Sequence, residues 1–485
     1  NETSGQSGYD GSNDAWILSK SASGGFIYQI ANSYSGVYTF SVYAKANASN
    51  FIRLNGNAVT DADAFFNLST GLVQSSINCI DVKIESVGNG WYRCSITSND
   101  SDLDYINIYP AEAGSISGNS GSVYIQDAQL EQGLAASPYI ETTTTSAQAG
   151  VLENTPRLNY TTGVANPYLL LEPSRTNQCS QSEYIGSIDW NQGGITRSLV
   201  ITQTSETNPE GASICWKIQG TASDNQLANN SSTNSGTTIT NSVYVKRVSG
   251  TSNVLLRNVN NNDTSFSLSV ADGWKRIDVT ATATSATARF YLNLLDFNDE
   301  ILVWGAQQEI GSYPTSYIPT YSVSATRAKD VCSKTNTSGI IGQTEGTLFA
   351  EIQGYANALS GNSFLSLTES TGNNRLLIGQ SSSINQLRVF IDVGNVSNGF
   401  NYSVTDITQP QKIAIVYSNS GNTIAIYVNG VKETGYVVGD TFNALLTDIV
   451  SNNGANGQYA EFNVNELQVY KEALTDAEAI TLTTI

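Results

Sequence analysis

The feature that most limits what this chain can fold into is an internal repeat. Val42-Tyr43-Ala44-Lys45 returns as Val243-Tyr244-Val245-Lys246, and Gly88-Asn89-Gly90-Trp91-Tyr92-Arg93 returns as Ala271-Asp272-Gly273-Trp274-Lys275-Arg276. Val123-Tyr124-Ile125-Gln126-Asp127-Ala128-Gln129-Leu130-Glu131 then matches Ile301-Leu302-Val303-Trp304-Gly305-Ala306-Gln307-Gln308-Glu309. Pro138-Tyr139-Ile140 and Ser316-Tyr317-Ile318 follow. The offset falls from 201 residues (Tyr43 to Tyr244) to 183 (Trp91 to Trp274) and 178 (Ala128 to Ala306). Surface loops absorb such changes at little thermodynamic cost, so four blocks in one order define two related modules.

Each block reads as β-structure. Tyr38, Phe40, Val42 and Ala44 alternate with Thr39, Ser41, Tyr43 and Lys45, the period of two of a strand with one buried and one amphipathic face. Asn89-Gly90 and Asp272-Gly273 are turn dipeptides in which Gly supplies positive φ. The Trp after each turn starts a strand and reads as packing over the sandwich end, with a sugar-stacking platform as the alternative.

A fifth match, Asp14-Ala15-Trp16-Ile17-Leu18 with Ile214-Cys215-Trp216-Lys217-Ile218, has unequal leads. The second module places Tyr168-Leu169-Leu170-Leu171-Glu172 and Tyr184–Trp190 before this block, whereas the first has 15 residues before Trp16. The expectation is a chain that begins inside its first module and lacks that opening strand; a compact module that dispenses with it is the alternative. Thr/Ser-rich stretches at 141–150 and 319–328 read as semi-extended connectors.

The third segment has different grammar. Gly346–Ile352 reads as an opening strand, and Lys412–Tyr417 with Thr423–Val428 as a hairpin. Asn429-Gly430 then sets a tight turn, Phe462–Tyr470 alternates as a half-buried strand, and Thr475-Asp476-Ala477-Glu478 has capping-box spacing for a short helix. The fold class expected is all-β: three jelly-roll-like β-sandwiches at residues 1–142, 143–322 and 323–485.

Composition narrows the chemistry. With 23 basic against 42 acidic residues the net charge is −19, a surface that repels nucleic acid and anionic lipid. No apolar run reaches the roughly 18–20 residues that cross a bilayer. The chain has no His, so neither a Ser-His-Asp triad nor an imidazole metal ligand is available. Its five Cys lack CxxC spacing and read as buried small side chains, with a Cys79–Cys94 bridge as the alternative.

At this point the residues resemble known families. Ile424–Gly430 followed by Asn465–Glu478 resembles a laminin-G/concanavalin A-like domain, with its Tyr-Val-Asn-Gly turn and closing strand ending in an Ala-Leu-Thr-x-x-Glu helix. Pro156-Arg157-Leu158, Leu169–Asn177, residues 88–93, residues 128–131, Ser316–Thr320 and Thr326–Asp330 resemble the carbohydrate-binding-like sandwiches of tailed-bacteriophage fibre, spike and head-fibre proteins. The resemblance implies a homo-oligomeric, trimeric component of the virion surface. It would join other virion proteins through a missing N-terminal part and contact host-surface glycans. A purely structural decoration without glycan binding and a bacterial surface adhesin are the alternatives.

Specific sites are sparse. Asp392, Asp440 and Asn452 are candidates for Ca²⁺, but no EF-hand spacing or acidic cluster accompanies them, and turn roles explain them better. Glu351 and Glu466 lie on expected strands and would need a shared cleft to act as a glycosidase pair. The expectation is therefore a non-enzymatic chain without cofactor or metal. Tyr outnumbers Phe 25 to 14, which suits exposed aromatic contact, yet no ligand-binding residue is singled out.

Overall fold

Alternation carries the two longest strands, Ile27–Ala46 and Trp91–Ala111, through the whole first module. The computed structural model describes residues 2–58, 61–147, 155–160, 166–191, 199–221, 225–232, 235–257, 263–284, 287–369, 372–394, 396–420, 423–437, 446–455 and 457–485. In it these strands pair antiparallel twice, Val37–Lys45 against Trp91–Asn99 and Ile27–Ile30 against Tyr105–Ile108. The register breaks between the two stretches, where Asn32 and Ser33 both take φ of 58°. That bend folds one nine-stranded sheet into two layers.

One layer runs Glu2–Gln6, Ala15–Lys20, Gly121–Gln132, the end of Ile27–Ala46, the start of Trp91–Ala111, then Asp81–Gly88. The other runs from the start of Ile27–Ala46 through the end of Trp91–Ala111 to Phe51–Asn57, Ala62–Asn67 and Leu72–Ile77. Leu18, Phe40, Val42, Ile52, Leu54, Phe66, Ile96 and Ile108 fill the space between, each such burial contributing about 1.5–3 kcal/mol.

The second module repeats this order with its long strands interrupted. Leu199–Thr204, Cys215–Gly220, Glu300–Ile310, Thr238–Ser249 and Lys275–Thr282 form one sheet. Asn225–Ser232, Thr287–Leu294, Val254–Arg257 and Asp263–Phe266 form the other. The likeness reaches single hydrogen bonds. Gln129 Nε2 donates to Glu131 Oε1 at 2.7 Å, which accepts the Ser137 N–H at 2.9 Å, while Gln129 Oε1 accepts the Ile140 N–H at 2.8 Å. Gln307, Glu309, Thr315 and Ile318 make the same three bonds at 3.0, 2.6 and 2.7 Å. The Gln-x-Glu motif is thus a clasp that pins the outgoing chain. Each module also has a β-bulge at the same place, with Asp127 at φ 52° in one and Gly305 at φ 63° in the other.

Arg93 and Arg276 occupy equivalent places, over the Tyr43 and Tyr244 rings at 5.3 and 5.4 Å and donating to Ser41 and Ser242. The face of the Tyr43 strand expected to be amphipathic is therefore covered: Thr39, Ser41 and Tyr43 are all buried. Trp91 is buried, and Trp274 is half-buried and donates to the Thr207 carbonyl, so packing accounts for both.

Two expectations are corrected. Tyr168–Leu171 is not an opening strand of the second sandwich: it pairs with Phe462–Tyr470, and Leu171 enters the C-terminal core. A four-residue apolar strand carries no local mark of which sheet it joins. Nor does the first module lack an edge strand, because Glu2–Gln6 stands beside Ala15–Lys20 as Leu199–Thr204 stands beside Cys215–Gly220. What the second module has in addition is the segment 178–191, whose Ile185 and Trp190 enter its core and whose Tyr184 lies 5.4 Å from Trp216. Trp216 is 7% exposed in consequence, against 46% for Trp16. All five Cys are free thiols, so the alternative of a Cys79–Cys94 bridge falls away; Cys94, Cys179 and Cys215 are buried as expected, but Cys79 is half-buried and Cys332 exposed.

The C-terminal sandwich sets a seven-stranded sheet, ordered Leu158–Asn159, Tyr168–Leu171, Phe462–Tyr470, Glu345–Gly354, Gln411–Ser418, Thr423–Val428 and Val431–Val437, against a six-stranded one. Asn429 and Gly430 have φ of 49° and 82°, the paired positive values that dipeptide supplies. The helix Asp476–Thr483 has both capping-box bonds and packs on the outer face against Phe349, Val416 and Tyr427. No helix among the described residues is long and apolar enough to cross a membrane.

The sandwiches are joined by packed connectors. The Val37 N–H donates to the Tyr321 carbonyl at 2.9 Å, which lies where a Cβ on Gly36 would come within 2.6 Å. Tyr321 Oη donates to buried Glu183 at 3.2 Å. Between the second and third sandwiches, Glu172 accepts from Arg157 at 2.9 Å and pairs with Arg327 at 3.2 Å, while Asp330 accepts from Arg157 at 2.6 Å.

Candidate binding face

The outer side of the second layer of the first module assembles a site from plain alternation. In Tyr105-Ile106-Asn107-Ile108-Tyr109 the Ile residues turn to the core, so Tyr105, Asn107 and Tyr109 turn outward. Ile52 and Leu54 likewise send Arg53, Asn55 and Asn57 to that side. The register aligns them in rows. Tyr109 lies opposite Arg53, Asn107 is flanked by Tyr28 and Asn55, and Tyr105 lies opposite Asn57.

The result is a recess of about 500 Å³ lined by these residues with Phe26 and Asp61. Tyr28 (57%), Phe26 (49%) and Tyr105 (38%) form its open rim, whereas Tyr109 (8%) is its floor. Phe26 and Tyr109 have centroids 4.8 Å apart, Phe26 and Tyr28 5.9 Å, and Tyr28 and Tyr105 5.6 Å. Interplanar angles of 52° and 73° at Tyr28 make these rings a corner rather than a ledge. The guanidinium of Arg53 sits 4.7 Å over Tyr109 and its Nε donates to both Asp63 oxygens at 2.9 and 2.8 Å. Asn107 Nδ2 donates to Asn55 Oδ1 at 2.8 Å, and Asn55 Nδ2 to the Ala62 carbonyl, so both amides are held in fixed orientation. Burial pushes the Tyr109 phenol above its usual value, keeping it a neutral hydroxyl.

Such a corner offers apolar ring faces beside oriented amides and hydroxyls, the combination that a polyol with one apolar face requires. The second module repeats part of it. Arg257 donates to Asp263 at 2.8 and 3.1 Å and lies 5.3 Å over Tyr291, but Tyr291 is 2% exposed and its hydroxyl accepts from Arg289 at 2.6 Å.

The residues singled out earlier lie elsewhere. Asp392 is paired with Arg375, Asn452 Oδ1 accepts the Gly454 N–H, and Asp440 lies outside the described residues. Among the described residues no group of three or more metal-ligating side chains gathers. Glu351 and Glu466 are direct cross-strand partners on the helix-bearing outer face, where Glu351 accepts from Asn465 and Glu466 from Gln468, but they share no cleft: Glu466 borders a recess beside Leu169 and Val464 that Glu351 does not line. The binding face itself was missed, although Tyr-Ile-Asn-Ile-Tyr and Arg-Leu-Asn-Gly-Asn carry its signal.

No curated protein sequence matches the chain. Among solved structures, the CBM40 domain of the Ruminococcus gnavus IT-sialidase bound to alpha2,3 sialyllactose is 13% identical over 29% of this chain and 84% of its own, with a TM-score of 0.25. The native heptameric SAP-like pentraxin from Limulus polyphemus is 17% identical over 30% of this chain and 72% of its own, with a TM-score of 0.24. The NanB sialidase from Streptococcus pneumoniae is 18% identical over 32% of this chain and 27% of its own, with a TM-score of 0.26. Residues 340–479 match the family model of the concanavalin A-like lectin/glucanases superfamily. With its facing sheets, Asn-Gly turn and closing strand and helix, that region is a concanavalin A-like domain.

Proposed function

We propose that this chain is a non-catalytic adhesion protein that holds glycans on the Tyr28–Tyr105 face of its first sandwich. The observation that carries the reading is the open aromatic corner set beside the interlocked Asn55 and Asn107 amides. Three rings inclined to one another suit the end of a short saccharide better than a long flat chain, which needs coplanar platforms. A single face of this kind binds weakly, and several copies on one particle would raise effective concentration without a strong single site.

The fuller form of this reading places the chain on the surface of a bacteriophage virion, as a trimeric fibre or spike component contacting host-surface glycans. It is supported by the motif resemblance of residues 1–330. Those motifs supply the clasp of Gln129 and Glu131 and the junction of Arg157, Glu172 and Asp330, parts of a rigid display scaffold.

A glycan array probed with the full chain tests the adhesion reading. Retention on a defined set of saccharides is the expected result, and an array without any retained glycan would leave a purely structural decoration as the better account. Sedimentation of the chain at a trimer mass tests the assembly.

A further inference from the structure

We infer that this face selects neutral saccharides and excludes carboxylated ones, whether sialylated or uronate-bearing; the inference rests on the adhesion reading above. The recess contains one cation, Arg53, and that guanidinium is already committed. Its Nε and Nη2 both bond Asp63, whose side chain is as deeply set as its own, and its plane lies over Tyr109. A ligand carboxylate would have to displace Asp63 to take the Nε/Nη2 edge of the guanidinium, leaving that acid half-buried and unpaired; Nη1 alone offers no such two-point grip, on a cation whose charge Asp63 already balances. The other charge in the lining is Asp61, an exposed carboxylate that accepts from Asn57 and from the Ala58 N–H at the recess edge. Arg53, Asp63 and Asp61 together carry a net charge of −1, inside a chain whose total is −19.

What the recess presents to a ligand is neutral and directional. Asn55 and Asn107 are buried amides, and the Tyr hydroxyls stand at rim and floor. These groups match ring hydroxyls and acetamido groups, which exchange hydrogen bonds without charge. An anionic sugar meets the same ring faces but adds repulsion from Asp61, with no compensating cation. The second module shows the contrast: Arg289 stands on the same strand as Tyr291 and donates to its hydroxyl at 2.6 Å, and no salt bridge ties it to a carboxylate among the described residues.

The test measures binding of the full chain to neutral pyranose oligosaccharides, each matched with its sialylated and its uronate-bearing derivative. Neutral members should bind at least about tenfold more tightly than their acidic partners. The gap should narrow as salt rises from about 0.05 to about 0.5 M in the buffer, since screening acts on the repulsion. Asp61→Asn, which keeps an acceptor for the Ala58 N–H, should narrow it roughly threefold. Equal or tighter binding of either acidic series, or a gap that Asp61→Asn and salt both leave unchanged, overturns the inference while leaving glycan adhesion standing. Binding of no member of any series overturns the adhesion reading instead.

Discussion

Replacing Glu172 with Ala should uncouple the second sandwich from the C-terminal one. The Glu172 side chain is 5% exposed and pairs with Arg157 at 2.9 Å and Arg327 at 3.2 Å. It also accepts the Ser316 N–H at 2.8 Å. The substitution leaves both guanidinium groups sharing Asp330, at 2.6 Å and 3.7 Å, and leaves a backbone donor without its partner. Removing one side of a buried ion pair costs about 3–5 kcal/mol, and the remaining Asp330 contact argues for the lower end, about 3 kcal/mol. For domains of this size that corresponds to a fall in Tm of roughly 6–12 °C. Calorimetry on the full chain should show it. Glu172→Gln, which keeps an acceptor for Ser316, should lose about half as much, and a double-mutant cycle with Asp330→Asn should show coupling above about 1 kcal/mol. A loss under about 1 kcal/mol for Glu172→Ala, with additive behaviour in the cycle, would refute the view that this ion cluster holds the two sandwiches together.

Three further outcomes follow from single groups. Burial, with Glu210 nearby, pushes the Glu183 carboxyl up to about 8, so the folded chain holds a proton there that the unfolded chain releases at ordinary carboxylate values. Its contribution is present below about pH 4.5 and is lost as pH rises to about 8, at roughly 1.4 kcal/mol per unit; urea melts of Glu183→Gln should lack that slope. Gly305→Ala places a Cβ 3.3 Å from Tyr244 and Tyr317 at φ 63° and should cost about 1–2 kcal/mol by denaturant titration. Thr475→Ala removes the cap whose side chain accepts the first-turn N–H of Glu478 and should cost about 1 kcal/mol in the same assay.

Much of the architecture was legible because its determinants are local. Val42 and Val243 announce strands by alternation, Asn429-Gly430 announces a turn by its φ demands, and Thr475 with Glu478 announces a cap. The destination of Tyr168–Leu171 was not legible, since pairing with a strand nearly 300 residues away depends on which edge is open in the folded molecule. The binding face escaped for a related reason. Tyr105, Asn107 and Tyr109 read as an ordinary amphipathic strand, and it is the register with Arg53, Asn55 and Tyr28 that brings rings and amides together. The connectors read as extended from their Thr content, but the packing of Tyr321 against Val37 and Glu183 depends on two modules already folded.

The most direct measurement compares saccharide binding by the native chain and by Tyr28→Ala/Tyr105→Ala, titrated with a glycan retained on the array. Both rings are on the open rim, so the melting temperature should hold while affinity falls by about tenfold or more. Binding that survives the loss of both rings at native strength would contradict the account and move the contact to another surface.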